Sequence, residues 1–297
     1  MWIVLSLITI VVSIQYVLVF LSEFSIFEMG IKRITTRQPH LALIALPFIY
    51  STILLSGKRI NKIMAAIGIF PIVLMVVISQ QRGLWLGVIF SLFVFLIFSI
   101  LRTRIDLKRI IVLFCIFLIF IGLFVAAVIL LNSKIKPTST YTLGQRVESL
   151  QNLETDYSLF IRFVEIKRAW RQVGNLSVFG AGIGKHITRF ANQSYSNIVD
   201  NSYFYIYWKL GWVGVFSFLG IYFMFFRRCI QVLFKSNNKQ AQIISLSAIS
   251  AMSGLFLVAL TNVSLVLYRF NLVWALVIAS VEILYRLNNQ IIDQKTR

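Results

Sequence analysis

Apolar residues in this chain neither alternate nor keep to one helical stripe. They run unbroken over long stretches, separated by short polar gaps. Eight such runs cover 2–22, 40–56, 63–79, 83–101, 109–131, 203–226, 241–260 and 264–285. At about 1.5 Å of rise per residue, and with some tilt, each can cross a hydrocarbon core of about 30 Å. Pro47 and Pro71 fall inside runs and predict kinks there. One long polar interval, 132–202, divides five N-terminal runs from three C-terminal ones. The pattern predicts an all-α integral membrane protein of about eight transmembrane helices, with a long loop that contains short helices. Its parts are 1–131 (five helices), 132–202 (the loop) and 203–297 (three helices and a tail).

Within the loop, Lys134 to Thr142 is rich in Ser and Thr and reads as a flexible linker around Pro137. Asp156 to Val173 changes to helical periodicity, with Asp156 or Ser158 as the N-cap. Leu159, Phe163, Ile166, Ala169, Trp170 and Val173 fall on one apolar arc, and Arg162 falls on that same arc. Lys167, Arg168 and Arg171 fall outside it. A guanidinium aimed at the body of the protein needs a partner, because an unpaired buried charge is costly. The other reading has Arg162 lying along the bilayer edge. The sequence leaves both open.

Composition sharpens the picture. Of 297 residues, 59% are hydrophobic and only 13% charged, which excludes an ordinary soluble domain. The net charge of +19 would suit nucleic acid, but the basic residues sit in gaps between apolar runs, so topology explains them better. Lys58, Arg59 and Lys62 fill one gap, Arg102, Arg104, Lys108 and Arg109 a second, and Arg227, Arg228, Lys235 and Lys239 a third. The tail adds Arg286, Lys295 and Arg297, whereas the intervening gaps hold Arg82 alone or no basic residue. Lys32, Arg33 and Arg37 depart from the alternation. The positive-inside rule then puts both termini in the cytoplasm and the 132–202 loop outside. The first run has the length of a retained helix and no cleavage pattern after it. Cys115 and Cys229 fall in or at the edge of apolar runs and leave the redox compartment open, and His40 and His186 lack companions at metal-ligand spacing, so neither metal nor cofactor is expected.

A few polar residues remain as candidates for chemistry. Arg82 stands in the hairpin Ser79-Gln80-Gln81-Arg82-Gly83, either as a helix-end arginine at the headgroups or as an anion clamp. Asp200 precedes the sixth run, either as a helix cap or as a carboxylate that removes a proton or orients an acceptor, with Asn201 supporting it. Gly180, Gly182 and Gly184 could bring amides to a phosphate, although a tight turn is the simpler reading because no strand precedes them. Gly211 and Gly214 suit close helix packing. Lys209 and Arg269 lie within apolar runs and either snorkel or face a polar interior.

Taken together, these pieces resemble the O-antigen ligase and polymerase family of bacterial membrane glycosyltransferases. The likeness runs from about Ser79 to Gly220: the hairpin ending in Arg82, Arg162-x7-Trp170, Phe179-Gly180-x-Gly182-x-Gly184, and Asp200-Asn201 followed by Gly211-x-x-Gly214. The last spacing is its most specific part. The resemblance implies metal-independent, inverting glycosyl transfer at the outer face of the plasma membrane, with no cofactor. The donor would be an oligosaccharide on undecaprenyl diphosphate. Arg82 and Arg162 match the arginines that hold the diphosphate, and Asp200 would serve the acceptor hydroxyl. Read from the residues themselves, Asn201, Gly182 and Arg269 are further substrate-binding candidates, Arg269 because it lies a few residues from the outward end of the last run. Ligases typically carry histidine at the Asp200 position, so the Asp-Asn pair points to a polymerase of O-antigen, capsule or exopolysaccharide repeats. A second lipid-linked glycan would then be the acceptor, membrane lipids the surroundings, and a chain-length regulator protein the candidate protein partner. Ligation to lipid A core or to protein is the alternative within the family; a polysaccharide transporter or flippase is the alternative outside it. Fewer helices precede the hairpin than is usual for the family, which leaves an incomplete or inactive relative as a further expectation.

Overall fold

The computed structural model describes residues 40–57, 59–79, 81–103, 157–174, 177–188, 195–266 and 268–296, with single positions at 11, 14 and 122. The expected spans 2–22 and 109–131, the linker 134–142 and the cap Asp156 lie outside the described residues. The chain divides into two compact units.

The first unit contains three helices, α1 (Leu41–Leu55), α2 (Arg59–Ile78) and α3 (Arg82–Thr103), together with residues 236–254 of a later helix, α6 (Lys239–Val258). Apolar all round, α1 can only be a buried helix, and every residue from Leu41 to Ser51 is buried. It runs through Pro47, as α2 runs through Pro71. The Ser247 hydroxyl of α6 lies 3.2 Å from the Pro47 carbonyl and 2.7 Å from the Ser51 hydroxyl, tying α6 to α1. On the side of α3, a Cβ at Gly254 would stand 2.6 Å from the Gly87 carbonyl oxygen, so the backbones of α6 and α3 touch. The hairpin between α2 and α3 closes where Ser79 and Trp85 both donate to the Val76 carbonyl, at 2.7 and 2.9 Å. Arg82 is the first residue of α3.

The second unit holds α4 (Tyr157–Val173), a two-stranded antiparallel hairpin of β1 (Ile187–Thr188) and β2 (Tyr195–Ser196), α5 (Ser202–Lys235), the end of α6 and α7 (Tyr268–Thr296). Its core is Ala169 and Val173 of α4, Ile187 of β1, Val199 just before α5, and Trp208 of α5. The run 203–226 does not end where the apolar residues thin out. Phe225, Cys229, Val232 and Leu233 continue a buried stripe, and α5 goes on with them to Lys235. At this end Arg228 pairs with Glu282 of α7, whose other oxygen accepts from Arg286 Nε at 2.8 Å. The last run was expected to form a helix from 264. Residues 261–266 instead form turns, because Ser202 at the head of α5 binds them: its N–H and hydroxyl donate to Asn262 O at 3.2 and 2.7 Å, and its Oγ accepts from Leu265 N–H at 3.3 Å.

Among the described residues, three helices are long and apolar enough to cross a membrane: Gly83–Arg102, Ser202–Lys235 and Lys239–Val258. Leu41–Leu55 is apolar but shorter. The protein is mainly helical, with helices of membrane-spanning length.

Candidate functional site

The site begins with the buried face of α4. Ala169 and Val173 anchor the helix in the core of the second unit, and Arg162 lies on the same side, seven residues before Ala169. It does have a partner. Arg162 Nε stands 3.9 Å from Asp200 Oδ2, with the two side chains 30% and 42% exposed. The contact is a single one at the long limit of an ion pair and not a bidentate fork. A phosphate could therefore still engage this guanidinium.

Three interactions hold α4 so that Arg162 meets Asp200. Arg168 donates to Thr188 O at 2.6 Å, Gln172 donates to His186 O at 2.9 Å, and Trp208 Nε1 donates to Gln172 Oε1 at 3.2 Å. Trp170 stacks on Phe204, with ring centres 6.0 Å apart, and lies 5.4 Å from the Tyr207 ring. The apolar arc expected for this helix is thus split. Ala169 and Val173 are buried, whereas Phe163 and Trp170 remain 65% and 57% exposed.

Asn201, and not Asp200, caps α5. Its Oδ1 accepts from Phe204 N–H at 2.9 Å, and its Nδ2 donates to Leu260 O at 3.0 Å. The sequence reading has Asn201 supporting Asp200 and binding substrate; here its amide oxygen and nitrogen each also hold the fold. The cap leaves the Asp200 carboxylate outside the helix, facing Arg162.

The glycine cluster has a mechanical role that sequence reasoning missed. At Gly211 (φ 63°, ψ −160°) α5 is interrupted. A helix break exposes carbonyls on one side and amides on the other, and buried ones must find partners. The segment 177–182 supplies them. Ala181 and Gly182 N–H donate to Trp208 and Lys209 carbonyls at 2.7 and 3.1 Å, and Trp212 and Val213 N–H donate to Ser177 and Val178 carbonyls at 3.0 and 3.2 Å. Gly182, a substrate-binding candidate of the sequence reading, accordingly has its amide engaged with α5. Gly211 packs against this loop and not against a neighbouring helix.

Lys209, adjacent to the break, is 2% exposed. Its ammonium donates to Ile183 O at 2.9 Å and to Lys185 O, and lies 3.9 Å from the centre of the Trp208 ring. It faces the protein interior and clamps the glycine loop.

Below the break a groove of about 570 Å³ runs beside α5, lined mainly by apolar residues such as Phe179, Leu210, Val213 and Phe218, with Ser217 and Asn271 as polar members. Arg269 is the second residue of α7, between the groove residues Val266 and Asn271. Arg82 belongs to the first unit. The side chains of Arg82 and Arg269 lie outside the described residues. Among the described residues, no group of three or more His, Cys, Asp or Glu side chains could hold a metal ion.

No family model matches this chain, and no curated protein matches its sequence.

Proposed function

We propose that the chain is a polymerase of lipid-linked oligosaccharide repeats, for O-antigen, capsule or exopolysaccharide, acting at the outer face of a bacterial plasma membrane. The proposal includes about eight spans, cytoplasmic termini and an outward 132–202 loop. The observation that carries it is the approach of Arg162 to Asp200 at the head of a membrane-length helix, while Asn201 takes over the capping role. A cation and a carboxylate with separate tasks stand within one substrate's reach.

In the reaction, the acceptor hydroxyl attacks the anomeric carbon of the donor sugar, and the bond from that carbon to the diphosphate oxygen breaks. Its electron pair leaves with undecaprenyl diphosphate, and the hydroxyl proton is lost on the Asp200 side. Arg162 offsets charge that grows on the leaving diphosphate, a role that the resemblance gives to Arg82 as well. Stabilising charge that develops in the transition state lowers the barrier, whereas uniform binding of the substrate does not. The apolar groove beside α5 suits a lipid chain that stays in the bilayer while its diphosphate sits at the surface. Arg269 enters this scheme by its place near the outward end of the last run.

The break at Gly211 favours a second reading, since interrupted membrane helices are a feature of transporters. There, however, the opened backbone lines a cavity and binds the cargo. Here amides of 181 and 182 and carbonyls of 177 and 178 occupy it.

The test is reconstitution of the whole chain with a purified lipid-linked repeat, read as glycan length on a gel. Arg82→Ala, Arg162→Ala and Asp200→Asn are expected to leave single repeats. Variants that lose sugar uptake yet still build polymer would point to transport, and long chains left on the carrier would point to a ligase.

A further inference from the structure

The second unit leaves one part of α4 without cover from protein. Ala169 and Val173 fill the core, yet Phe163 and Trp170, seven residues apart and so nearly aligned along the helix, are 65% and 57% exposed. Lys167 and Arg171 stand on the same exposed side, and both are exposed. The helix's acidic residue, Glu165, is 3% exposed and belongs to the opposite side. An exposed aromatic stripe flanked only by cations calls for a surface that is apolar inside and anionic at its rim.

The stripe also leads to such a surface. Ring contacts pass from Trp170 to Tyr207 (5.4 Å), from Tyr207 to Trp212 (5.2 Å) and from Trp212 to Phe216 (5.7 Å). Phe216 lies on the membrane-length part of α5, where Leu219 and Phe223 are also exposed, at 43% and 67%. Tyr and Trp collect where a spanning segment meets the headgroups. The exposed face of α4 is thus continuous with the exposed apolar surface of α5.

We propose that α4 lies in the headgroup layer of the bilayer, with Phe163 and Trp170 among the acyl chains and Lys167 and Arg171 on anionic lipid headgroups. Arg162 and Asp200, on the other side of the helix, are thereby held at headgroup level. This placement requires α5 to be in a membrane and requires no glycosyl transfer, so it stands or falls apart from the catalytic reading.

The test uses the full chain in nanodiscs of phosphatidylcholine with phosphatidylglycerol. A nitroxide is attached to Phe163→Cys in a Cys115→Ser, Cys229→Ala background. Oxygen, which concentrates in lipid, should relax the label several-fold more than a water-soluble nickel chelate. Label relaxed mainly by the chelate, or by neither reagent because protein covers the site, overturns the proposal. Trp170 provides a second reading without cysteine replacement. Quenching by bromine-labelled acyl chains should fall in Trp170→Phe relative to the wild type, whereas quenching by acrylamide should not. If the acrylamide-sensitive part falls instead, or neither falls, α4 is not in the bilayer. Lys167→Gln with Arg171→Gln should make the label's depth independent of phosphatidylglycerol; unchanged dependence on that lipid would remove the headgroup contact from the proposal.

Discussion

Gly180 and Gly211 meet backbone to backbone, 31 residues apart in sequence. A Cβ on Gly180 would stand 2.5 Å from Gly211 N, and one on Gly211 would stand 2.3 Å from Val178 O. Both have positive φ, 74° and 63°. Each residue therefore needs glycine twice over, for its conformation and for the space it gives up.

Gly211→Ala should consequently be among the most destabilising substitutions in the second unit. At φ 63° and ψ −160° the backbone lies in a region essentially reserved for glycine, which costs an alanine about 1–3 kcal/mol. The overlap with Val178 O adds to this, because backbone cannot move aside as a side chain can. Detergent-solubilised protein should melt several degrees lower than wild type. Gly184→Ala, with open space around its Cβ position and no positive φ, should melt like wild type.

Asn201→Ala should cost about 1 kcal/mol, the usual value for an N-cap, with a further loss from the unpaired Leu260 carbonyl. Asn201→Asp restores the acceptor for Phe204 N–H but not the donor to Leu260 O, so it should recover only part of the stability. Equal losses in a thermal unfolding series for the two variants would refute the assigned cap.

How far the sequence could be read follows from the range of the forces involved. Length and apolarity announce an apolar helix by themselves, and α1, α2, α3 and α6 formed close to the expected positions, α3 and α6 with the length to cross a membrane. Asp200 and Asn201 are both good caps and are adjacent, so no local rule could choose between them; Leu260, 59 residues later, makes the choice. For Lys209 the sequence left snorkelling and an inward-facing charge both open, and Gly211 read as a packing glycine, because their partners lie in the loop 177–185, more than 20 residues earlier. The two-residue strands β1 and β2 are too short to impose any alternation. Arg162 was legible as a charge in need of a partner, but the partner could only come from the fold.

Lys209→Met should loosen the loop without unfolding the chain. The methionine keeps the apolar stem but leaves Ile183 O and Lys185 O without their donor. Losing hydrogen bonds from a charged donor costs about 1.5–3 kcal/mol. Because the break hydrogen bonds at 181 and 182 do not involve the ammonium, the loss should be local. Hydrogen exchange should quicken over 183–186 and hold steady in α5 beyond 213. Uniformly faster exchange along α5 would mean that Lys209 supports the helix and not the loop.

The contact between Arg162 and Asp200 lends itself to a separation of stability from activity. A partly exposed pair at 3.9 Å, with one side chain 42% open to solvent, contributes at most about 1 kcal/mol to folding. Arg162→Ala and Asp200→Ala should therefore melt within a few degrees of wild type, singly and together. If the guanidinium stabilises charge growing on a leaving diphosphate, its loss should lower the turnover of a lipid-linked repeat about 10²–10³-fold, as for other transition-state donors. Arg162→Lys should recover only part of this, since an ammonium gives the charge without the planar fork. Asp200→Glu should retain more activity than Asp200→Asn if a proton must leave, and the two should be alike if the side chain only orients the acceptor. Large losses of stability with proportionate losses of turnover would instead make the pair a structural tie between α4 and the head of α5.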